Sequence, residues 1–262
     1  MPTAPLADVR LHFRIDGDDG APPLMLSNSL GTTLDMWEPQ MSALAGRFRV
    51  IRYDSRGHGR SQTTPGPYSI DQLARDAVRL LDHLAIDRAH FCGLSMGGMV
   101  GLWLGIHAPD RLDRLVVANT AAKIGTSEMW NARIDAVRKG GMAAIVSAVL
   151  ARFFSPQLLE QPTPMILRIR EAFEQTSPDG YIACCAAVRD MDQRYSLARI
   201  HVPTLVITGS DDMATPPAEG RLIAESVHRG RYVELPATHL SNVQSAPGFT
   251  QALVQFLSHR ME

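Results

Sequence analysis

Residues 89–107 read Ala89-His90-Phe91-Cys92-Gly93-Leu94-Ser95-Met96-Gly97-Gly98-Met99-Val100-Gly101-Leu102-Trp103-Leu104-Gly105-Ile106-His107. Ala89 to Cys92 is a brief apolar strand, and Met96 to His107 is a helix that Pro109 stops. Between them stands Gly93-Leu94-Ser95-Met96-Gly97, a G-x-S-x-G pattern. The spacing has a steric reason. A serine on a sharp strand-to-helix turn holds its hydroxyl clear of the chain, and a side chain at either glycine would strike neighbouring backbone. The helix start also supplies N–H groups with no intrahelical acceptor. Composition alone would put this pattern in roughly one chain in ten, so its weight comes from the strand before it and the helix after it. A serine in an ordinary glycine-rich turn has no need of either.

A serine hydroxyl is a weak nucleophile near neutral pH and needs a base that an acid orients. On this kind of elbow the chain order is serine, then Asp or Glu, then His. Thr204 to Thr208 reads as a strand and leads into Gly209-Ser210-Asp211-Asp212-Met213-Ala214-Thr215-Pro216. Asp212, deeper in that loop, is the favoured acid, and Asp211 reads as a solvated or turn-forming carboxylate. Three histidines follow. His239, in Pro236-Ala237-Thr238-His239-Leu240, lies just after the strand Arg231 to Leu235, where a base must sit. His228 reads as a solvated helix end, and His259 is almost terminal. His58 precedes the serine, so it reads as structural. An oxyanion hole requires two backbone donors. Met96 N–H, directly after the nucleophile, supplies one. The loop Ser27-Asn28-Ser29-Leu30-Gly31 supplies the other, with Ser29 favoured and Leu30 second.

Working outward, Leu24 to Ser27, Phe48 to Tyr53 and Leu112 to Ala118 read as further strands. Ile70 to Leu84 has Leu73, Ala77, Leu80, Leu81 and Leu84 at helical spacing, and Pro247 to His259 closes as a helix. Strands alternating with helices predict an α/β fold with a mostly parallel sheet covered on both faces. One region breaks the rhythm. Residues 122–189 carry helical patterns and no convincing strand, for example Gly141 to Phe154 with Met142, Ile145, Val149 and Phe153 on one face. An insertion at the carboxyl end of a strand lies over the crevice where such sheets bind ligands. The expected organisation is a core of residues 1–121 and 190–262 with a helical cap of residues 122–189.

The 262 residues suit one large domain or a domain with an insertion. With 45% hydrophobic and 20% charged residues the chain has the profile of a globular protein. A formal net charge of −1 leaves no electrostatic footprint for nucleic acid or for a membrane surface. No apolar run is long enough to span a bilayer, and the N-terminus has no signal-peptide pattern, so a cytoplasmic location is expected. Cys92, Cys184 and Cys185 form no C-x-x-C pair and read as buried reduced thiols, with no metal expected.

From about Leu11 to Leu257 the chain resembles the α/β-hydrolase superfamily. Within it, the chain is similar to the 3-oxoadipate enol-lactonase subfamily. That likeness rests on Ser27-Asn28-Ser29-Leu30-Gly31, where many relatives have a His-Gly pair, and on Met36-Trp37 after it. It rests also on Arg52-Tyr53-Asp54-Ser55-Arg56-Gly57-His58-Gly59, Pro65-Gly66-Pro67-Tyr68, Ala118-Asn119-Thr120-Ala121, Ile124-Gly125 and Met129-Trp130. The Arg-Gly-His-Gly and elbow blocks occur in many esterases and discriminate little. Thr238 departs from the pattern, since an alanine is expected there. The resemblance implies hydrolysis of an enol-lactone formed late in bacterial catabolism of catechol and protocatechuate, giving 3-oxoadipate in the β-ketoadipate pathway. It also implies a Ser-His-Asp triad, an acyl-enzyme and no cofactor. A general carboxylesterase, a carbon–carbon bond hydrolase or a cofactor-free perhydrolase uses the same triad, and a non-catalytic scaffold has little need to keep nucleophile, acid and base in order.

Such a lactone keeps one carboxylate remote from the reacting carbonyl, and burying it without a partner is costly. The cations of residues 122–189 are Lys123, Arg133, Arg138, Lys139, Arg152, Arg168, Arg170 and Arg189. Arg133 follows Trp130 by three residues, so both share one helical face. Trp130 would wall the ring with Leu30, and Arg133 would take the charge. The plainer alternative is an aromatic–cation pair on the cap surface.

Overall fold

The computed structural model describes residues 2–258, and His259 lies outside them. Eight strands make one sheet: β1 (Thr3–Pro5), β2 (Arg10–Asp16), β3 (Pro23–Ser27), β4 (Arg49–Tyr53), β5 (Ala89–Leu94), β6 (Leu112–Ala118), β7 (Thr204–Gly209) and β8 (Gly230–Leu235). Their spatial order is β1-β2-β4-β3-β5-β6-β7-β8. The β1–β2 and β2–β4 pairs are antiparallel, and every other pair is parallel. β7 is buried along its whole length and β5 and β6 along most of theirs, as strands covered on both faces must be. This explains why they read as apolar runs rather than alternating ones. β2 does alternate, with Leu11, Phe13 and Ile15 at period two, a signal that the sequence reading leaves unused.

Helices α1 (Glu38–Leu44), α2 (Ile70–His83), α3 (Met96–His107), α9 (Pro217–Ser226), α10 (Ser241–Gln244) and α11 (Ala246–Ser258) cover the sheet, while α4 (Ser127–Gly140), α5 (Val146–Phe153), α6 (Pro156–Glu160), α7 (Pro164–Glu174) and α8 (Pro178–Asp190) all fall between β6 and β7. α2 starts where the Ser69 hydroxyl accepts from Gln72 N–H at 3.1 Å, and it buries Leu73, Ala77, Leu80 and Leu81. α3 buries ten of its residues, because it begins under the crevice and runs back through the core.

No strand occurs between β6 and β7 among the described residues. The helical pattern over Gly141 to Phe154 is divided between two helix types. Gly141 is left-handed at φ 65°, a short 3₁₀ turn covers Met142–Ala144, and α5 starts only at Val146. Met142, Ile145, Val149 and Phe153 are nevertheless all buried, so the apolar periodicity survives a change of helix type. The three cysteines are free and buried, and burial raises each thiol well above its ordinary pKa. No helix among the described residues is long and apolar enough to cross a membrane.

Candidate active site

Parallel strands end on one edge of a sheet, and here that edge collects the chemistry. Ser95 stands between β5 and α3 at φ 57° and ψ −116°, the left-handed strain that its turn demands. The turn is pinned from three sides. Ser95 N–H donates to Ala118 O at 2.8 Å, Gly97 N–H donates to Asn28 O at 3.0 Å, and the Thr120 hydroxyl donates to Ser95 O at 2.8 Å. A Cβ at Gly93 would collide with the Gly97 carbonyl, and one at Gly97 would collide with the Ser27 carbonyl. Those two collisions are the steric reason for the spacing.

Asp212 follows β7 and is 1% exposed, whereas Asp211 is exposed and takes only a bond from the Ser210 hydroxyl on its side chain. The Asp212 carboxylate is fully engaged. Oδ1 accepts Ala214 N–H at 2.8 Å and Thr215 N–H at 3.0 Å. Oδ2 accepts the Thr215 hydroxyl at 2.6 Å, the Asn119 amide at 2.9 Å and His239 Nδ1 at 2.9 Å. Burial would raise its pKa, but the attraction of His239 and the bonds from His239, Thr215 and Asn119 outweigh it and hold the carboxyl at about 2. A carboxylate can only accept, so Nδ1 of His239 is the donor in this bond and Nε2 is the ring nitrogen left over.

His239 lies in the loop after β8 and is 3% exposed. Its ring stacks on Phe153, centroids 5.7 Å apart at 18°, and its N–H donates to Arg152 O at 3.4 Å. Thr238, where the sequence reading expects alanine, donates its hydroxyl to Phe153 O at 2.7 Å, and Leu240 N–H reaches the same oxygen at 3.2 Å. The histidine loop is thus tied to the end of α5.

Ser95 and His239 both open onto a cavity of about 280 Å³, with no hydrogen bond between them among the described residues. Ser29, Leu30, Met96, Trp130 and Arg133 line the same cavity. A larger one, about 380 Å³ between α7 and the core, holds none of these residues and lies apart from Ser95. The sequence reading favours Ser29 as an oxyanion donor, and in the structure that amide already has an acceptor. Ser29 N–H donates to Met36 Sδ at 3.4 Å, Gly31 N–H to His58 Nε2 at 2.9 Å and Thr32 N–H to Ser29 O at 3.2 Å. Leu30 N–H is left without an acceptor among the described residues, and so is Met96 N–H at the start of α3. A backbone donor leaves no mark on residue type, and the geometry turns on which amide the neighbouring groups leave over.

Arg133 sits with its guanidinium 4.7 Å from the Trp130 ring centroid, and Trp130 is held by its indole N–H donating to Ile124 O at 2.9 Å. Trp130 is 4% exposed, which removes the surface-pair reading for the indole. Burial and the Cys185 thiol raise the Tyr181 phenol well above its usual pKa, with Arg133 opposing them. No carboxylate pairs with Arg133 among the described residues. Arg152 also lines this cavity and Arg168 the larger one, while Lys123 donates to Arg189 O. Sequence reasoning missed Asn119, Thr215 and Phe153. The first two stand directly after β6 and within the acid loop, positions where a strand end could have signalled them.

Residues 22–246 match the family model of the alpha/beta hydrolase fold. The chain is 43% identical over 246 residues to 3-oxoadipate enol-lactonase 2 of Acinetobacter baylyi, covering 94% of this chain and 92% of that one. It is 38% identical to 3-oxoadipate enol-lactonase 1 of the same organism over 94% of this chain and 92% of that one. The crystal structure of the enol-lactonase from Burkholderia xenovorans superposes with a TM-score of 0.97 at 46% identity, covering 98% of this chain and 100% of that one. By its sheet, its elbow and these likenesses, the chain belongs to the α/β-hydrolase fold family.

Proposed function

We propose that the chain hydrolyses 3-oxoadipate enol-lactone to 3-oxoadipate, with Ser95 as nucleophile, His239 as base and Asp212 as the acid that orients it. The observation that carries this reading is Arg133, a guanidinium facing the same cavity as Ser95 with no carboxylate to neutralise it among the described residues. Such a group calls for a substrate that brings its own carboxylate. The likeness to chains named enol-lactonase supports the same substrate. In this reading residues 122–189 form the cap, and Trp130 and Leu30 wall the lactone ring.

Ser95 Oγ adds to the lactone carbonyl as His239 Nε2 takes its proton. Leu30 and Met96 N–H groups receive the oxyanion, each such donor contributing about 3 kcal/mol to the barrier reduction. Collapse breaks the ring C–O bond and expels an enolate, which ends as a ketone after protonation by His239. A water activated by His239 then attacks the acyl-enzyme and releases the second carboxylate. Asp212, ionised throughout, keeps the imidazole in one tautomer and stabilises the imidazolium. The test is a spectrophotometric assay with enol-lactone generated in situ from muconolactone. Consumption of the lactone by the wild type and none by Ser95→Ala supports the reading. Hydrolysis of simple esters with no action on the lactone overturns it in favour of a general carboxylesterase.

A further inference from the structure

Met36 opens the Met36-Trp37 pair, and neither residue belongs to the triad or lines the catalytic cavity. Met36 is 1% exposed, in a 3₁₀ turn seven residues past Ser29. Its sulfur accepts Ser29 N–H at 3.4 Å and lies 3.0 Å from the Thr32 hydroxyl, whose single proton it shares with a backbone oxygen. That hydroxyl is also 2.8 Å from Ser29 O. Trp37 fixes the other end of the loop, its indole N–H donating to Asn28 Oδ1 at 2.9 Å. A buried amide left unbonded is costly, and an ordinary aliphatic side chain at position 36 would leave Ser29 N–H in that state.

We propose that Met36 Sδ is a positioning group for the oxyanion loop, engaging Ser29 N–H and the Thr32 hydroxyl so that Leu30 N–H alone faces the cavity. The proposal rests on the catalytic reading above. Thioether sulfur is a weak, polarisable acceptor with a flexible stem. It can satisfy a second-rank donor in a dry site without presenting an oxygen that competes for Leu30 N–H. With the sulfur gone, Ser29 N–H must seek another acceptor, and the loop turns Leu30 N–H away from the position of the developing charge. That displacement costs transition-state stabilisation and leaves substrate binding alone.

The test is Met36→Leu, which keeps the volume and removes the acceptor, alongside Thr32→Val, which removes the second donor. With the enol-lactone, Met36→Leu is expected to lower kcat about three- to ten-fold at unchanged KM. Affinity for a boronic acid, whose boron takes Ser95 Oγ and places an oxygen in the hole, is expected to fall by a similar factor. The double variant is expected to lose less than the product of the two single losses, because both act on one sulfur. Unchanged kcat, a loss in KM only, or fully multiplicative losses overturns the proposal. Should Met36→Leu fail to fold, Met36→norleucine, which exchanges only the sulfur for a methylene, carries the same test through its own kcat and boronate readouts. Full activity in Ser95→Ala would instead overturn the catalytic reading, which separates the two failures.

Discussion

Asn119 and Asp212 meet at the ends of two neighbouring parallel strands, β6 and β7, where the asparagine amide donates to Asp212 Oδ2 at 2.9 Å. Asn119 holds a left-handed backbone at φ 44°, and the Ser241 hydroxyl donates to its Oδ1. The carboxylate fixes the amide flip, since it can only accept, and so the nitrogen faces Asp212 and the oxygen is left to Ser241. Asn119→Gly tolerates the same backbone and removes the amide. It is expected to lower kcat about ten-fold or more with little change in KM, as loss of a hydrogen bond to a charged group predicts. Steady-state kinetics check this, and a purely structural Asn119 would lower the melting temperature while leaving kcat per folded enzyme intact.

Ser95 spends stability on its position. At φ 57° a non-glycine residue costs on the order of 1 to 3 kcal/mol. Ser95→Gly relieves that strain, offset by the greater freedom of glycine in the unfolded chain. The variant is expected to be inactive and more stable than the wild type by about 1 kcal/mol. Ser95→Ala, equally inactive, keeps the strain and gains nothing. Chemical denaturation of the three proteins distinguishes them, and a Ser95→Gly no more stable than Ser95→Ala would contradict the strain argument.

Asp212→Asn is expected to be far more damaging to kcat than Asp211→Asn, because only the buried carboxylate engages His239. The effect has a pH signature. The folded pKa of Asp212 is depressed from 3.8 to about 2, so its contribution to stability is present above the unfolded value and lost as pH falls toward the folded one. The size is on the order of 2 kcal/mol. The stability gap between wild type and Asp212→Asn should therefore shrink between about pH 5 and about pH 3. A gap constant over that range would mean that the carboxylate gains nothing from its partners.

Arg133→Ala is expected to raise KM for the enol-lactone about ten- to a hundred-fold, the range for a lost charge-assisted bond. Hydrolysis of a small neutral ester should stay nearly unchanged. Equal losses on both substrates would point to a folding defect around Trp130, against which the guanidinium packs. No loss on either would move the search to Arg152, the other guanidinium on the same cavity.

The sequence was most legible where local and global requirements coincide. Around Ser95 a strand, a tight turn and a buried helix are each specified by residue type, and α3 and β6 have the expected bounds. Asp212 and His239 were placed by chain order and loop position. Less legible was whatever depends on which of several equivalent backbone groups is left unbonded. Ser29 and Leu30 offer the same N–H, and only the distant Met36 sulfur separates them. Asn119 lay unread because its partner is Asp212, ninety-three positions along the chain. The break at Gly141 escaped because a 3₁₀ turn and an α-helix can bury the same apolar residues.

The end of α5 holds the histidine loop by three bonds and one ring face, through Arg152 O, Phe153 O and the Phe153 ring. The helices between β6 and β7 are therefore not an interchangeable lid. A graft that replaced them to alter substrate choice would also release the His239 imidazole that faces Asp212.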